Sequence, residues 1–272
     1  MNKGNEGIEP ETGLRFIELS HPWGHGAPVW PGDPDVHIER SVIHATHGVM
    51  SEKVIANMHV STHVNAPIYL LQRGQFIGDL PPDLFFGNGV ILSVPKGKWQ
   101  LVTAADLEQV GTDVQSGDIV LIVTGWGERF SDSQDYFGNA PGLAPDAAEW
   151  LVAKGVKLVG VDMAAVDHPL STSLGLHRGG PTMRRLPKRY QDETGNDPRT
   201  AFPDWNPAAR ILLSAGIPTI LNVGGDVATL LGQRVTIHAM PWRWLDGEAA
   251  VIRLMAIIDT TGTYRIEPGH AA

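Results

Sequence analysis

Two histidines four residues apart, His59 and His63, lie in the segment of this sequence that holds the most reactive side chains, NMHVSTHVNAPIYL (57–70). Imidazoles at this spacing can share a cation on one face of a helix. The β-branched residues of the segment and Pro67 disfavour a helix, however. On a straight strand four residues span about 13 Å, which is too long for two imidazoles to reach one ion. A metal site therefore requires a bend near Ser61–Thr62, and the alternative is a pair of surface or hydrogen-bonded histidines.

Further candidates lie in loops or at strand ends. His168 comes after a predicted strand, where α/β proteins place functional groups, and it is either catalytic or a structural contact. His177 lies in a long polar loop and is either a general base or exposed to solvent. Trp23 and Trp30, with His25 between them, lie in a Pro/Gly-rich loop. They predict an aromatic slot that binds a flat ring, or alternatively a subunit interface.

The pattern of apolar residues predicts the elements that position these side chains. Short β-branched runs alternate with amphipathic segments, which indicates one α/β domain with a mixed sheet over 14–272. A polar tail, 1–13, precedes it, and a loop without regular structure is predicted at about 171–206. Strands are predicted at 14–20, 89–95, 118–124, 157–162, 218–223, 234–240 and 249–258, and helices at 103–110, 144–155 and 207–216.

Composition excludes several classes of protein. The formal charge of −9 over 272 residues argues against a nucleic-acid partner, because the one basic cluster, MRRLPKRY (183–190), is short. The chain has no cysteine, so a tight metal must use His, carboxylate or amide ligands. No apolar run reaches the roughly 20 residues that span a bilayer, and the polar start is not a signal peptide. We therefore expect no membrane contact and a cytoplasmic location.

Several motifs together resemble one known family. The segment HVSTHVNAPIY is similar to the signature His-x-Gly-Thr-His-x-Asp-x-Pro-x-His of the cyclase family, the group that contains bacterial kynurenine formamidase and isatin hydrolase. His59, Thr62, His63 and Pro67 are in register with it. Similar stretches continue in the same order along the chain: APVWPGDP (27–34), TGW (124–126), LVGVDMAAVDHPL (158–170), ILLSAGIPTILNVGGD (211–226) and RVTIHAMPWRWLDGEAAVIRLMAII (234–258).

The chain also departs from that signature. Ser61, Asn65 and Tyr69 stand where the signature has Gly, Asp and His. Leu221 and Ala209 stand at the positions where family members commonly carry Glu or Gln and His, the acid/base pair. The resemblance thus implies two histidine ligands, an amide in place of a carboxylate, and no familiar acid/base pair.

The resemblance implies a kynurenine formamidase-like fold, with a barrel-like mixed sheet flanked by helices. It implies one divalent ion, Mn or Zn, at His59, His63 and Asn65. Tyr69 would donate a hydrogen bond to an oxyanion or simply pack, and His168 or His177 would supply the missing acid/base group.

The function that the resemblance implies is a metal-dependent hydrolase. It would open an amide, imide, lactone or N-formyl bond of a small cyclic or aromatic substrate with activated water. The alternatives are a lyase or isomerase on the same scaffold and a small-molecule-binding protein that has lost catalysis. The resemblance also implies a homodimer or homotetramer, with the Trp-rich loop and the segment 163–206 at the interface.

Overall fold

The computed structural model describes residues 6–262, which form a mixed sheet with helices against it. The strands are β1 Glu6–Ile8, β2 Arg15–Glu18, β3 His37–Val42, β4 Ser51–Ile55, β5 His63–Asn65, β6 Phe86–Ser93, β7 Leu101–Val102, β8 Ile119–Val123, β9 Gly142–Leu143, β10 Leu158–Val161, β11 Thr219–Leu221, β12 Arg234–His238, β13 Ala249–Val251 and β14 Met255–Ile258. The helices are α1 His44–His47, α2 Ala104–Val110, α3 Gln134–Gly138, α4 Pro145–Lys154, α5 Leu186–Thr194, α6 Pro198–Ala201 and α7 Pro207–Ser214.

Ten of the strands form one sheet in the order β1-β2-β14-β12-β6-β8-β10-β11-β5-β13. Its centre, from β6 to β11, is parallel, and the strands on either side pair antiparallel. Every residue of β8 and β10 is buried. Their continuous apolar sequence is therefore that of parallel strands covered on both faces. The predicted mixed sheet is confirmed.

The ends of the sheet curl toward each other. β13 and β14 lie seven positions apart in the strand order, which in a flat sheet would be about 34 Å. The three residues between them, 252–254, can bridge at most about 14 Å. The sheet must therefore close into a barrel-like shape, with an apolar interior that includes Val64, Leu121, Ile220 and Ala250. Residues 252–254 lead from one end of the strand order to the other, so the single strand predicted at 249–258 is two strands, β13 and β14.

Local sequence signals account for the helices behind the sheet. Thr103 and Asp106 form a reciprocal capping box that begins α2. α4 begins with Pro145 and ends at Gly155, whose φ of 70° is the left-handed cap conformation. These two helices and α7 pack against the outer face of the sheet through a second apolar cluster, which includes Leu107, Leu151 and Leu212.

Two regions differ from the predictions. The predicted polar tail contributes β1, which pairs with β2 at the edge of the sheet. The predicted loop at 171–206 contains α5 and α6, because Leu186 and Tyr190, on one face of α5, are buried against the core. The hairpin of β3 and β4 projects from the domain, and every residue of β4 is exposed.

Within residues 6–262 no helix has the length and apolar character to cross a bilayer. The predicted cytoplasmic location stays a prediction.

Candidate active site

The bend that the sequence requires between the two histidines is present at Ser61. This residue has φ of 57°, in the left-handed region that glycine adopts without strain. Its hydroxyl donates to the carbonyl oxygens of His21 and Pro22, each at 2.9 Å, which helps to hold the unusual conformation. The bend turns the chain so that His59, before it, faces His63, the first residue of β5.

A buried hydrogen-bond chain fixes the ring of His63. Its Nδ1 lies 2.9 Å from the carbonyl oxygen of Ser61, which can only accept, so Nδ1 carries the proton and Nε2 has a free lone pair. The same carbonyl accepts from Asn222 Nδ2 at 2.7 Å, and Asn222 Oδ1 accepts from the Tyr136 hydroxyl at 2.6 Å. Burial, with a contribution from the nearby charge of His59, lowers the pKa of His63 to about 3. His63 is therefore neutral at physiological pH, as a metal ligand must be.

The free lone pair of His63 points at the other histidine. His63 Nε2 and His59 Nδ1 are 3.4 Å apart. The other nitrogen of His59, Nε2, lies 3.5 Å from Glu248 Oε1. The hydrogen bond from His59 is the main reason why the pKa of Glu248 is lowered. A carboxylate that orients the outer nitrogen of a ligating histidine is a common arrangement at metal sites.

Asn65 supplies a third donor. It lies two residues after His63 on β5 and therefore on the same face of the strand. Its side-chain oxygen is buried and has no hydrogen-bond partner among residues 6–262. All three side chains line one cavity. An uncompensated buried oxygen of this kind is costly unless something positive or hydrogen-bonding occupies the space beside it.

These three side chains fit a divalent cation. Two nitrogens bound tetrahedrally at 2.0–2.1 Å lie about 3.3–3.4 Å apart, which matches the separation between His59 and His63. In the described part of the chain no group of three or more His, Asp or Glu side chains could hold a metal. A cation here therefore depends on the amide oxygen of Asn65, and its ligand set is neutral.

The cavity has a volume of about 400 Å³ and an aromatic wall. Trp30, predicted to bind a flat ring, lines it and packs edge-on against Phe137 with 6.1 Å between ring centroids. Ala209 and Leu221 also line it. At the two positions where family members commonly carry an acid/base pair, this chain therefore presents apolar side chains to the cavity. The other aromatic side chains in the wall are Tyr69, Phe130, Tyr136 and Trp205.

Tyr69 lies at this wall beside His59. Its ring centroid is 4.6 Å from that of His59, and the residue is 41% exposed. Desolvation inside the cavity, followed by the carboxylates Asp33, Asp167 and Glu248, raises the pKa of Tyr69 to about 12. Its hydroxyl therefore stays protonated, and its role as a donor to an oxyanion stays a prediction.

Two of the cavity carboxylates gave no signal in the sequence. Asp167 is buried, and its oxygens accept from the N–H groups of Ala208 and Ala209, at 2.7 and 3.0 Å, in the first turn of α7. Burial raises the pKa of Asp167 to about 7. Glu248 reaches the cavity from the start of β13. Only the pairing of β13 with β5 brings this residue to His59, and no spacing in the sequence indicates it.

The structure does not bring the remaining predicted residues to this cavity. His168 is buried in the core, where its ring stacks on Phe202 at 3.9 Å and its Nδ1 accepts from the Leu170 N–H. His177 donates from Nε2 to the Phe202 carbonyl at 3.0 Å and lines a separate small cavity. Both rings thus contact Phe202, and this structural use supports the alternative reading of His168. His177 is half-buried, so the structure gives it neither the predicted place at the cavity nor the solvent exposure of the alternative.

The other two residues predicted to bind substrate lie elsewhere. Trp23 lines a larger groove of about 920 Å³ and packs with Val29 and Val36. His25 is exposed, and its Nε2 is 3.0 Å from the Ile38 carbonyl oxygen. Of the predicted aromatic slot, Trp30 alone lines the cavity that holds the two histidines.

Comparison with solved structures supports the fold. An isatin hydrolase bound to the product analogue thioisatinate has a TM-score of 0.73 at 16% identity, over 90% of this chain and 93% of that one. Isatin hydrolase A from Ralstonia solanacearum has a TM-score of 0.71 at 20% identity, over 90% and 92%. A protein described as a predicted metal-dependent hydrolase from Bacillus stearothermophilus has a TM-score of 0.64 at 18% identity, over 90% and 98%. The predicted α/β fold is confirmed.

Comparison of sequences gives the family. A kynurenine formamidase from Bacillus cytotoxicus is 26% identical over 163 residues, which cover 60% of this chain and 75% of that protein. The model of the Cyclase family matches residues 17–168, more than half of the chain and including the bend and both histidines. The chain therefore belongs to the cyclase family, as the motifs predict.

Proposed function

We propose that this protein hydrolyses a carbonyl–nitrogen bond in a small aromatic substrate, with a divalent cation bound by His59, His63 and Asn65. The observation that carries the proposal is the set of three possible ligand side chains, His59, His63 and Asn65, that line the aromatic cavity. Two imidazole nitrogens stand 3.4 Å apart next to a buried oxygen without a partner. The names of the relatives, a kynurenine formamidase and isatin hydrolases, point to the same class of bond.

A divalent cation at this position would lower the pKa of water and polarise the substrate carbonyl. Contacts within the protein orient the two histidines for such a cation. The hydrogen bond to the Ser61 carbonyl holds His63 in the tautomer whose Nε2 can bind, and Glu248 orients His59. The neutral amide of Asn65 adds no charge, so the site favours cations that accept oxygen ligands. We propose Mn²⁺ as at least as good an occupant as Zn²⁺.

The substrate is held by the cavity wall. Trp30 is fixed by a hydrogen bond from its Nε1 to Ser173 Oγ at 3.2 Å and by its edge-on contact with Phe137. A flat ring of the substrate can pack against this wall. Tyr69 keeps its proton and stands beside His59, where it can donate to the oxygen that becomes negative as water attacks the carbonyl carbon.

The proton released by the attacking water needs an acceptor. Ala209 and Leu221 cannot take it, and both oxygens of Asp167 already accept from the backbone of α7. Asp33 and Glu248 are the other carboxylates that line the cavity. We propose that one of them accepts the proton, and single Asp33→Asn and Glu248→Gln variants distinguish them through kcat on a substrate that the wild type hydrolyses.

The test of the function joins metal content to a substrate panel. Protein purified from cells grown with Mn and Zn should contain close to one equivalent of one of these metals. It should hydrolyse at least one member of a panel of N-formyl arylamines, isatins and cyclic imides. Lactones in the same panel test cleavage of a carbonyl–oxygen bond instead. A content below about 0.1 equivalent, with no turnover on the panel, would refute the metallohydrolase, because sites of this type retain their ion.

A second function is supported by the apolar side chains at the acid/base positions. With Ala209 and Leu221 in the cavity, the protein would bind a small aromatic molecule without turning it over. In that case panel members should bind, as seen by calorimetry, and remain intact. Reaction in ¹⁸O-labelled water separates hydrolysis, which places label in the product, from an elimination on the same scaffold, which does not.

We also propose that the protein is a homodimer or homotetramer. Exposed apolar side chains on β4 and on the segment that joins it to β3 support an interface there: Val49, Met50, Val54 and Ile55. Sedimentation velocity tests this, and a monomer at micromolar concentration would contradict it.

A further inference from the structure

The basic cluster 183–190 has no part in the proposed function. The chain carries a formal charge of −9, yet four of the eight residues in this segment are Arg or Lys. The structure places Arg184 and Arg185 just before α5 and Lys188 and Arg189 in its first half. All four side chains come from six consecutive residues, 184–189. The groups that each side chain contacts show whether the cluster is a solvated surface or a binding site.

Three of the four line one cavity and the fourth does not. Arg184, Arg185 and Arg189 border a space of about 470 Å³ between the start of α5 and the loop that leads into α3. Lys188 is not part of this border, and its ammonium group is 2.7 and 2.8 Å from the two carboxylate oxygens of Asp192, one turn further along α5. The uncharged polar side chains at the cavity are Ser133, Gln134 and Thr182.

The positive charge in this cavity is not balanced. Asp132 is the one carboxylate that borders it, against three guanidinium groups. Neither Arg184 nor Arg185 forms an ion pair or a side-chain hydrogen bond with any residue of 6–262. Arg189 donates from one terminal nitrogen to Asn139 Oδ1 at 2.6 Å, while its Nε is buried without a partner among the described residues.

Some arginines elsewhere in residues 6–262 form ion pairs, which Arg184 and Arg185 do not. Arg234 binds both oxygens of Asp118 at 2.8 Å, and Arg253 contacts Glu18 at 2.7 Å. A buried guanidinium nitrogen without a partner carries a desolvation cost, which a bound acceptor would remove. Three guanidinium groups around one cavity also repel each other, and an anion between them would relieve this.

We propose that this cavity is a binding site for a small oxyanion, a carboxylate or a phosphate. The planar guanidinium group presents paired N–H donors that match the oxygens of both anions, which a lysine cannot do. Serine, threonine and glutamine side chains at the border supply further donors. Both anions are compact and expose two or three oxygens to the protein. The proposed anion binding does not depend on the reaction proposed for the cavity that His59 and His63 line.

The site is adjacent to the candidate active site. Phe137 lines both cavities and is the ring against which Trp30 packs. Pro31, which follows Trp30 in the chain, borders the anion cavity as well. An anion bound here would therefore lie on the far side of the aromatic wall from the two histidines and would not compete with the metal.

The experiment measures anion binding directly. Isothermal titration calorimetry of the full chain with sodium phosphate, and separately with sodium acetate, at constant ionic strength should show saturable binding of at least one. The double variant Arg184→Gln/Arg185→Gln should weaken it at least about tenfold, the effect of removing charge-assisted hydrogen bonds. Both side chains are exposed, so the fold should persist, and circular dichroism verifies this.

The matched control is Lys188→Gln, which removes one positive charge from the same helix but not from the cavity. It should change the dissociation constant by less than about twofold, since exposed charges contribute little beyond screening. Equal weakening by Lys188→Gln and the arginine variant would show general charge attraction and overturn the proposal. So would the lack of saturable binding of both anions by the wild type. Neither result depends on whether the protein hydrolyses any substrate.

Discussion

Two pairs of histidines that the sequence offers as candidate functional residues are used in different ways in the structure. His59 and His63 line one cavity, and the lone pair of His63 Nε2 faces Nδ1 of His59 at 3.4 Å. His168 and His177 both contact Phe202, one by stacking and the other by a hydrogen bond to its carbonyl oxygen. The first pair lines the candidate active site, and the second pair does not.

The difference lies in what surrounds each ring. The ring of His63 is fixed from behind by a backbone carbonyl, which leaves its other nitrogen free at the cavity. The ring of His168 is enclosed by Phe202 and Tyr190, so it has no route to a substrate. Burial lowers the pKa of both rings to about 3, so this shift alone does not distinguish a ligand from a core residue. A possible ligand is distinguished from a core residue by the partner of its second nitrogen and by the presence of a cavity beside it.

The variant expected to have the largest effect is His63→Ala. Removing one of two nitrogen ligands should reduce metal affinity and kcat/KM by at least about 100-fold, more than the loss of a residue that only orients a ligand. Metal content by mass spectrometry and turnover of the best panel substrate measure this. His177→Ala is the control, and an equal loss of metal in that variant would remove the distinction between the two pairs.

His168→Ala should have the complementary effect. The loss of a buried ring stacked on Phe202 leaves a cavity in the core, so the free energy of unfolding at pH 7 should fall by about 3 kcal/mol. Metal content at 25 °C should stay within about twofold of the wild type, because the ring does not line the cavity. Urea denaturation gives the first quantity. Loss of metal from a folded His168→Ala protein would contradict the structural role.

The same variant has an expected pH dependence. The pKa of His168 is about 3 in the fold, chiefly because of burial, against an ordinary value of 6.5. Below pH 6.5 the unfolded chain therefore takes up a proton that the folded chain does not, and the wild type loses stability as pH falls. His168→Ala lacks this term. The difference in unfolding free energy between the two proteins should narrow by about 2 kcal/mol from pH 7 to pH 5. A constant difference would show that His168 is not buried in its neutral form.

The first pair could be predicted from the sequence because its geometry is local. The β-branched residues exclude a helix, and the need for a bend at Ser61–Thr62 follows from strand dimensions alone. Likewise, the buried parallel strands and the helices that cover them follow from apolar runs and caps of a few residues. Interactions between residues within about ten positions of each other were therefore predictable here.

The rest of the site depends on contacts between distant parts of the chain. Asn222 supports the Ser61 carbonyl from 161 residues away. Glu248 meets His59 only because the curled sheet places β13 beside β5. His168 and His177 could not be assigned for the same reason, since Phe202, which decides their role, lies within the segment 171–206 that the sequence predicted to be irregular. Neither composition nor spacing encodes these pairings.

Glu248→Gln tests one of these distant contacts. Gln keeps the size of the side chain but removes the charge that orients His59 Nε2, so metal affinity should fall by about tenfold to thirtyfold. Competition with a chelator gives the affinity, and kcat under metal saturation shows separately whether Glu248 is also the proton acceptor. Glu52→Gln, on the exposed hairpin, is the control with the same change of charge. Equal affinities in the two variants would mean that His59 does not need the carboxylate.

The smallest effect is expected for the variant that restores the Asp of the family signature at position 65. Asn65→Asp gives the ligand set a negative charge, which attracts the cation, but the carboxylate must be desolvated at a position only 2% exposed. These two contributions oppose each other, so we expect metal to bind no more than about tenfold more tightly. Mn²⁺ and Zn²⁺ titrations of metal-free wild type and variant measure it. Weaker binding by Asn65→Asp would show that the amide oxygen is not directed at the cation, and the unpartnered atom that supports the metal site would then need another explanation.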